Sequence, residues 1–287
     1  MPNLRQSPKP VKIRLTEREL NVLLYLWKWK LVSQAALTAK FFGKVSPGRA
    51  YNKLRELYRA GFVAMTGDDE GQRFAWTLAP KGFAVVLKYL PVLRESGFRS
   101  EHFTHDFLTT AFHLGDWLVG APKSVKFFSE QDLRRLSPDE IPVWVPAPDA
   151  HRPDGYWGFD NGGTWLPVAV EVEIHRKSPA AYAAVAEYYA DFACIHRVFW
   201  LVPSLRSALG IQSKLSRPHL IVAAKHNFVT VPDFLHHQWD APIIIGADKG
   251  KTVRSLLFDL ARETGGKMTG KFSAGHLLES RKSFVRT

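Results

Sequence analysis

The chain is poor in cysteine, with Cys194 alone among 287 residues. That excludes an internal disulfide and a cysteine-built zinc cluster. Long apolar runs are missing too, and nothing approaches the ~20 residues that cross a bilayer. The opening segment, MPNLRQSPKPVKIR, is basic but lacks the apolar centre of a signal peptide. No P-loop, GxGxxG or serine–histidine arrangement stands out. The glycine spacing of GADKGKT, Gly246 to Thr252, is wrong for a phosphate loop and reads as a helix start. The expectation is a cytoplasmic protein with no membrane partner.

What is present suits a packed core: 46% of residues are apolar and 23% charged, over a length that fits two ordinary domains. The net charge of +12 is uneven. Residues 1–90 hold 16 Lys/Arg against 6 Asp/Glu, whereas 91–264 carry a net −2 and the last 23 residues a net +4. A basic head on a near-neutral body points to a polyanionic partner, with nucleic acid ahead of an acidic membrane surface.

The head has helix punctuation. In LTERELNVLLYLWKWKLV, Thr16 and Glu19 form a capping-box pattern before Leu20, Leu23, Leu24 and Trp27 at helical spacing. SQAALTAKFF predicts a second helix from Ser33. SPGRAYNKLRELYRAG predicts a third, capped by Ser46, with Pro47 at its first position and Gly61 at its stop. Its apolar side is Ala50, Leu54, Leu57 and Tyr58. FVAMT and FAWTL then read as strands around the polar tip GDDEGQR, followed by a closing helix in APKGFAVVLKYL. Three helices and a two-stranded wing make a winged helix-turn-helix over 11–92, whose third helix would enter a major groove. Arg49, Asn52 and Lys53 are the expected base-side contacts, with Arg55, Arg59 and Arg73 on phosphates. The alternative for each is a cation that simply solvates a helix face.

From 97 to 264, helices and strands alternate as in a mixed α/β domain, and 265–287 read as a basic flexible tail. SEHFTHDFLTTAFHLGDWLVG predicts a helix, SVKFF a strand and SEQDLRRL a short helix. RVFWLVPS, PHLIVAAK and APIIIGA predict further strands, and KTVRSLLFDLARETG a last helix.

The chemistry-bearing stretch is HRPDGYWGFDNGGTWLPVAVEVEIHRKS, His151 to Ser178. Alternation in VAVEVEI sends Glu171 and Glu173 to one side of a strand. DNGG is a hairpin turn, so opposed residues have numbers summing to about 323 to 325. Asp154 then lies opposite a residue between Ala169 and Glu171, with Cβ atoms of Asp154 and Glu171 within roughly 5–8 Å. Converging carboxylates are screened by solvent, protonated, or bridged by a cation, and all-oxygen ligands favour Mg²⁺ or Mn²⁺. Asp154, Glu171 and Glu173 are therefore the expected metal ligands. Lys177, four residues past Glu173, could orient water, bind phosphate or merely solvate the strand–helix junction, and His175 or Arg176 could serve instead. The alternative is a solvated acidic face on an edge strand.

RPDG…VAVEVEIHRK resembles the core of the PD-(D/E)XK nuclease superfamily: an acid at one strand start, then (D/E)-x-K on the next strand. The resemblance assigns Asp154 and Glu171 as metal acids. Glu173 stands where the usual lysine would be, and some members use a glutamate there; Lys177 would be a displaced replacement. A winged helix before this core is similar to the replication-relaxation family, which includes MOBC-class conjugative relaxases and mobilisation proteins. The resemblance spans most of residues 14–205. It implies a metal-dependent DNA nicking endonuclease acting at a plasmid transfer origin. Double-stranded DNA would be its partner, with a second copy of the chain and plasmid-transfer proteins as further candidates. It also implies a polar residue from a helix before the sheet, among Glu101, His105 and Asp106, of which His105 is the catalytic choice. The better-known relaxases use a tyrosine nucleophile and a His-hydrophobic-His motif. This chain lacks that triplet, and Tyr182, Val185, Tyr189 and Phe192 fall at core spacing on one helix. A DNA-binding regulator or mobilisation accessory protein with a degenerate nuclease fold is the competing expectation, and an RNA-processing nuclease a third.

Overall fold

The structure is a computed structural model that describes residues 13–43, 46–68, 70–71, 73–146, 151–215 and 225–263. The basic tail, 265–287, and nearly all of PHLIVAAK lie outside the described residues. The chain is mixed α/β, with a two-stranded and a six-stranded sheet. It divides into two compact units, one up to Phe107 and one from Leu108.

The first unit runs α1 (Glu17–Trp29), α2 (Gln34–Phe42), α3 (Pro47–Arg59), β1 (Val63–Gly67), β2 (Phe74–Leu78) and α4 (Pro80–Val86). Thr16 and Glu19 close the capping box on α1, and the Ser33 hydroxyl accepts from the Ala36 N–H at 3.1 Å. Ser46 precedes α3, but its hydroxyl makes no cap bond; Pro47, whose φ is already helical, starts that helix. β1 and β2 pair antiparallel from Val63–Leu78 to Gly67–Phe74. Val22, Leu23, Leu26, Leu37, Leu54 and Leu57 fill the core. Tyr58, expected beside Leu54 and Leu57, instead lies 43% exposed at the end of α3.

The second unit begins within α5 (Phe103–Leu114) and continues through β3 (Val125–Ser129), α6 (Glu130–Arg135), β4 (Gly155–Asn161), β5 (Thr164–Val172), α7 (Pro179–Asp191) and β6 (Arg197–Val202). It ends with α8 (Leu205–Leu215), β7 (His226–Thr230), α9 (Val231–His237), β8 (Ile245–Gly246) and α10 (Val253–Glu263). The sheet order is β3-β4-β5-β6-β7-β8. β3, β4 and β5 are antiparallel, β5, β6 and β7 parallel, and β8 antiparallel to β7. Each parallel step needs a crossover, and α7 supplies the first.

Both sheet faces are covered, which accounts for the unbroken apolar run of β6. On one face Trp157 and Phe199 pack with Phe112, Phe234 and Trp239, and the Trp239 indole N–H donates to the Phe112 carbonyl at 2.9 Å. On the other, cross-strand pairing aligns Tyr156, Ala169, Glu171, Trp200 and His226 under α7. The Trp200 indole N–H donates to His226 Nδ1 at 2.8 Å, so the neutral ring carries its proton on Nε2.

Burial, with Lys225 alongside, pushes the His226 pKa down from its ordinary 6.5 to about 3. The unfolded chain therefore binds the extra proton between these values. The stability His226 contributes is complete above about pH 6.5 and drains as pH falls toward 3, at about 1.4 kcal/mol per pH unit at most. Urea midpoints between pH 7 and 4 will fall more steeply for the wild type than for His226→Gln; parallel curves refute the assignment.

Candidate active site

The β4–β5 register sets the site. Gly155 pairs with Val170 and Asn161 with Thr164, so opposed numbers sum to 325, at the upper edge of the range the turn predicts. One step before Gly155 comes Asp154. Its N–H donates to the Val170 carbonyl at 2.9 Å, and its Oδ2 accepts the Val172 N–H at 2.6 Å. Asp154 is thus fastened by backbone and side chain alongside Val170–Val172, the segment that carries Glu171.

Gly155 makes this turn. Its φ is +144°, and an added Cβ would lie 2.7 Å from both His113 Nε2 and the Phe128 carbonyl. His113, fully buried on α5, lies with Nε2 3.1 Å from the Asp154 carbonyl oxygen.

β5 lies between β4 and β6, so Glu171 is not on a solvated edge and is 2% exposed; Glu173, just past the end of β5, is 5% exposed. Glu171 survives burial because two donors meet one of its oxygens. The Tyr189 hydroxyl donates to Oε1 at 2.5 Å, and His151 Nε2 lies 2.5 Å from the same atom. Its Oε2 accepts no hydrogen bond from the described residues. Tyr188 bonds Tyr156, hydroxyl to hydroxyl, at 2.7 Å on the same sheet face. Spacing on α7 marks Tyr189 as packing, and it does pack, at 0% exposure. Its hydroxyl partner follows from the sheet face that α7 covers, which spacing does not give. His151 sits in an irregular segment and carries no periodic signal.

Glu173 continues the ladder, its N–H donating to the Leu201 carbonyl at 2.9 Å. Lys177 Nζ stands 2.7 Å from Glu173 Oε2, within ion-pair distance although the angle is poor for a hydrogen bond. Burial raises the Glu173 pKa; Lys177 opposes that, and Glu171 and Asp154 add to it. Lys177 is partly exposed. Burial works against its charge, but Glu171, Glu173 and Asp154 outweigh that and hold its pKa above the ordinary lysine value. The four groups feel one another electrostatically.

Among the described residues, no three His, Cys, Asp or Glu side chains are grouped as ligands of one ion. Of the three expected acids, Glu173 lies against Lys177. Mg²⁺, however, commonly takes one or two carboxylates and completes its octahedron with water and phosphate oxygens. Asp154 and the Oε2 side of Glu171 fit that smaller demand. His105, in the first unit, has Nδ1 3.1 Å from Asp106 Oδ1, and buried Asp106 also pairs with Lys30 at 3.5 Å.

On α3, Arg49, Asn52, Arg55 and Arg59 are exposed, and Arg73 is half-buried. Lys53 differs from expectation. Its Nζ lies 2.8 Å from Glu19 Oε1 and 2.9 Å from Glu56 Oε2. Glu19 is only 2% exposed, and a buried carboxylate needs that counter-charge. Burial raises the Glu19 pKa, but Lys53 and Thr16 outweigh it and hold the pKa below the usual carboxylate value.

Gly155→Ala must strain a left-handed backbone and move His113 or the β3 carbonyl. We expect a loss of about 2–3 kcal/mol, read from urea unfolding; an unchanged midpoint would show that the turn relaxes freely. A scan against protein-family models, a search of characterised proteins and a search of solved structures each found no match to this chain.

Proposed function

We propose that the chain is a metal-dependent DNA nicking endonuclease of the relaxase-like type, with a winged-helix head and a PD-(D/E)XK-like body, acting at a transfer origin. The observation that carries this reading is the hairpin register, which brings Asp154 alongside Glu171 on an interior strand. An acid at one strand start and an acidic pair on the next is the pattern the resemblance calls for. The head supports the reading with a basic α3 that offers Arg49, Asn52, Arg55 and Arg59 to duplex DNA.

Asp154 and Glu171 would hold Mg²⁺ or Mn²⁺. The bound ion would supply charge against the phosphate and lower the pKa of a water. Tyr189 and His151 fix Glu171 through Oε1 and so aim Oε2. Lys177, kept as an ammonium by three carboxylates, serves as a cation for the scissile phosphate rather than as a base. Glu173, its pKa raised, is the carboxyl of this set suited to taking up a proton.

One observation favours a second reading, a DNA-binding regulator or mobilisation accessory protein. Glu173 occupies the lysine's place, and its partner is the very Lys177 that would replace that lysine. Supercoiled origin plasmid with Mg²⁺ or Mn²⁺ separates the two. Nicking by the wild type that falls at least about 100-fold in Glu171→Gln and Asp154→Asn, with duplex binding kept, supports the nuclease. Binding without nicking supports the regulator, and full nicking by Glu171→Gln removes the site assignment.

A further inference from the structure

The first unit exposes two aromatic rings, Tyr58 and Phe74, beside its arginines, with half-buried Tyr51 and buried Trp76 behind them. Tyr51, Arg55 and Tyr58 follow one another at i, i+4 and i+7 on α3, and the Arg55 guanidinium lies 5.6 Å from the Tyr51 ring centre. Tyr58 meets Trp76 of β2 edge to face at 6.5 Å. Trp76 is paired with Met65 and is followed on the same face by Phe74, which is paired with Gly67. With no side chain at Gly67, the Phe74 ring lies across the hairpin; an added Cβ there would stand 3.0 Å from its edge carbons. Tyr58, Met65 and Phe74 remain 43%, 49% and 44% exposed.

We propose that this surface binds a nucleic-acid strand with unpaired bases, stacking bases on Tyr58 and Phe74 and seating phosphates on Arg55 and Arg59. The proposal rests on the nucleic-acid reading of the head and narrows its partner. A duplex hides its base faces, so exposed rings gain little from it beyond base edges. An unpaired strand offers a π-face at every base and a phosphate at every step, matching rings interleaved with guanidiniums. The hairpin tip carries Asp68 and Glu70, which repel phosphates and so favour a backbone path on the α3 side.

The test is fluorescence anisotropy with the full chain and three labelled probes: oligothymidylate, oligouridylate and a duplex. We expect binding to at least one single strand. Tyr58→Ala/Phe74→Ala should lose at least about tenfold of that affinity, while duplex affinity changes less than about twofold. Tyr58→Phe should keep single-strand binding and Phe74→Leu should lose it, which separates stacking from bulk and from misfolding. Arg55→Gln/Arg59→Gln should lower the single-strand salt slope by about 1.4. Single-strand affinity unchanged in the double alanine variant, or single-strand and duplex affinity falling together, overturns the proposal. Duplex binding without single-strand binding overturns it and leaves the head's duplex role standing. Binding to no probe removes both.

Discussion

A carboxylate buried in the middle of a sheet is the constraint on which the second unit depends. Glu171 is 2% exposed on a strand with neighbours on both sides. An ion withdrawn from water this far costs several kcal/mol, and hydrogen bonds to a charged group return about 1.5–3 kcal/mol each. Two donors on Oε1 are therefore a condition of the fold as well as a feature of the site. The requirement spreads outward. Tyr189 must come from a helix lying over this sheet face, which α7, the β5–β6 crossover, does. His151 must come from the segment ahead of β4, and the same segment then delivers Asp154 through the turn at Gly155.

The first unit obeys the same rule with different residues. Glu19 is needed at the start of α1 to close the capping box, and packing buries it. Lys53 stays 40% exposed but pairs with it, which commits one cation of the face that α3 presents. The exposed chemistry of that face is thus partly set by a core requirement: guanidiniums and Tyr58 stay exposed while the ammonium is committed. Counting charges along a helix overstates what a partner meets whenever a buried acid lies within reach.

Much of this was legible in the sequence, where a local rule fixes the geometry. DNGG determines a register, and a register fixes neighbours many residues apart, so Asp154 and the Glu171 strand could be set side by side. Capping patterns located α1 and α2, and Pro47 located α3. What escaped depends on which element covers which face. Tyr189 has the spacing of a core residue and is one, so nothing local signals its bond to Glu171. Lys53 meets Glu19 only once α1 and α3 pack. β7 (HNFVT) is short and half polar, because His226 accepts from Trp200 and Asn227 donates to Asp248, and neither partner is a sequence neighbour. Tyr58 fits the apolar side of α3 by angle, yet it sits where the helix runs out of core to cover it.

On the proposed nuclease reading, the lysine expected on the strand is better understood through charge than through position. Glu173 adds a third carboxylate within electrostatic reach of Asp154 and Glu171, and burial already opposes its ionisation. Such mutual repulsion favours a nearby cation, and Lys177 reaches back four residues to supply one. That cation is more firmly protonated than an ordinary lysine because three acids act on it together. On the proposed chemistry this separates two roles that a single lysine on the strand could combine. Lys177 can neutralise a phosphate but is poorly placed to accept a proton. Glu173 is the group whose protonation burial favours. On that reading, a glutamate and a nearby ammonium in place of the lysine keep a charge and a proton acceptor together and assign them to two side chains.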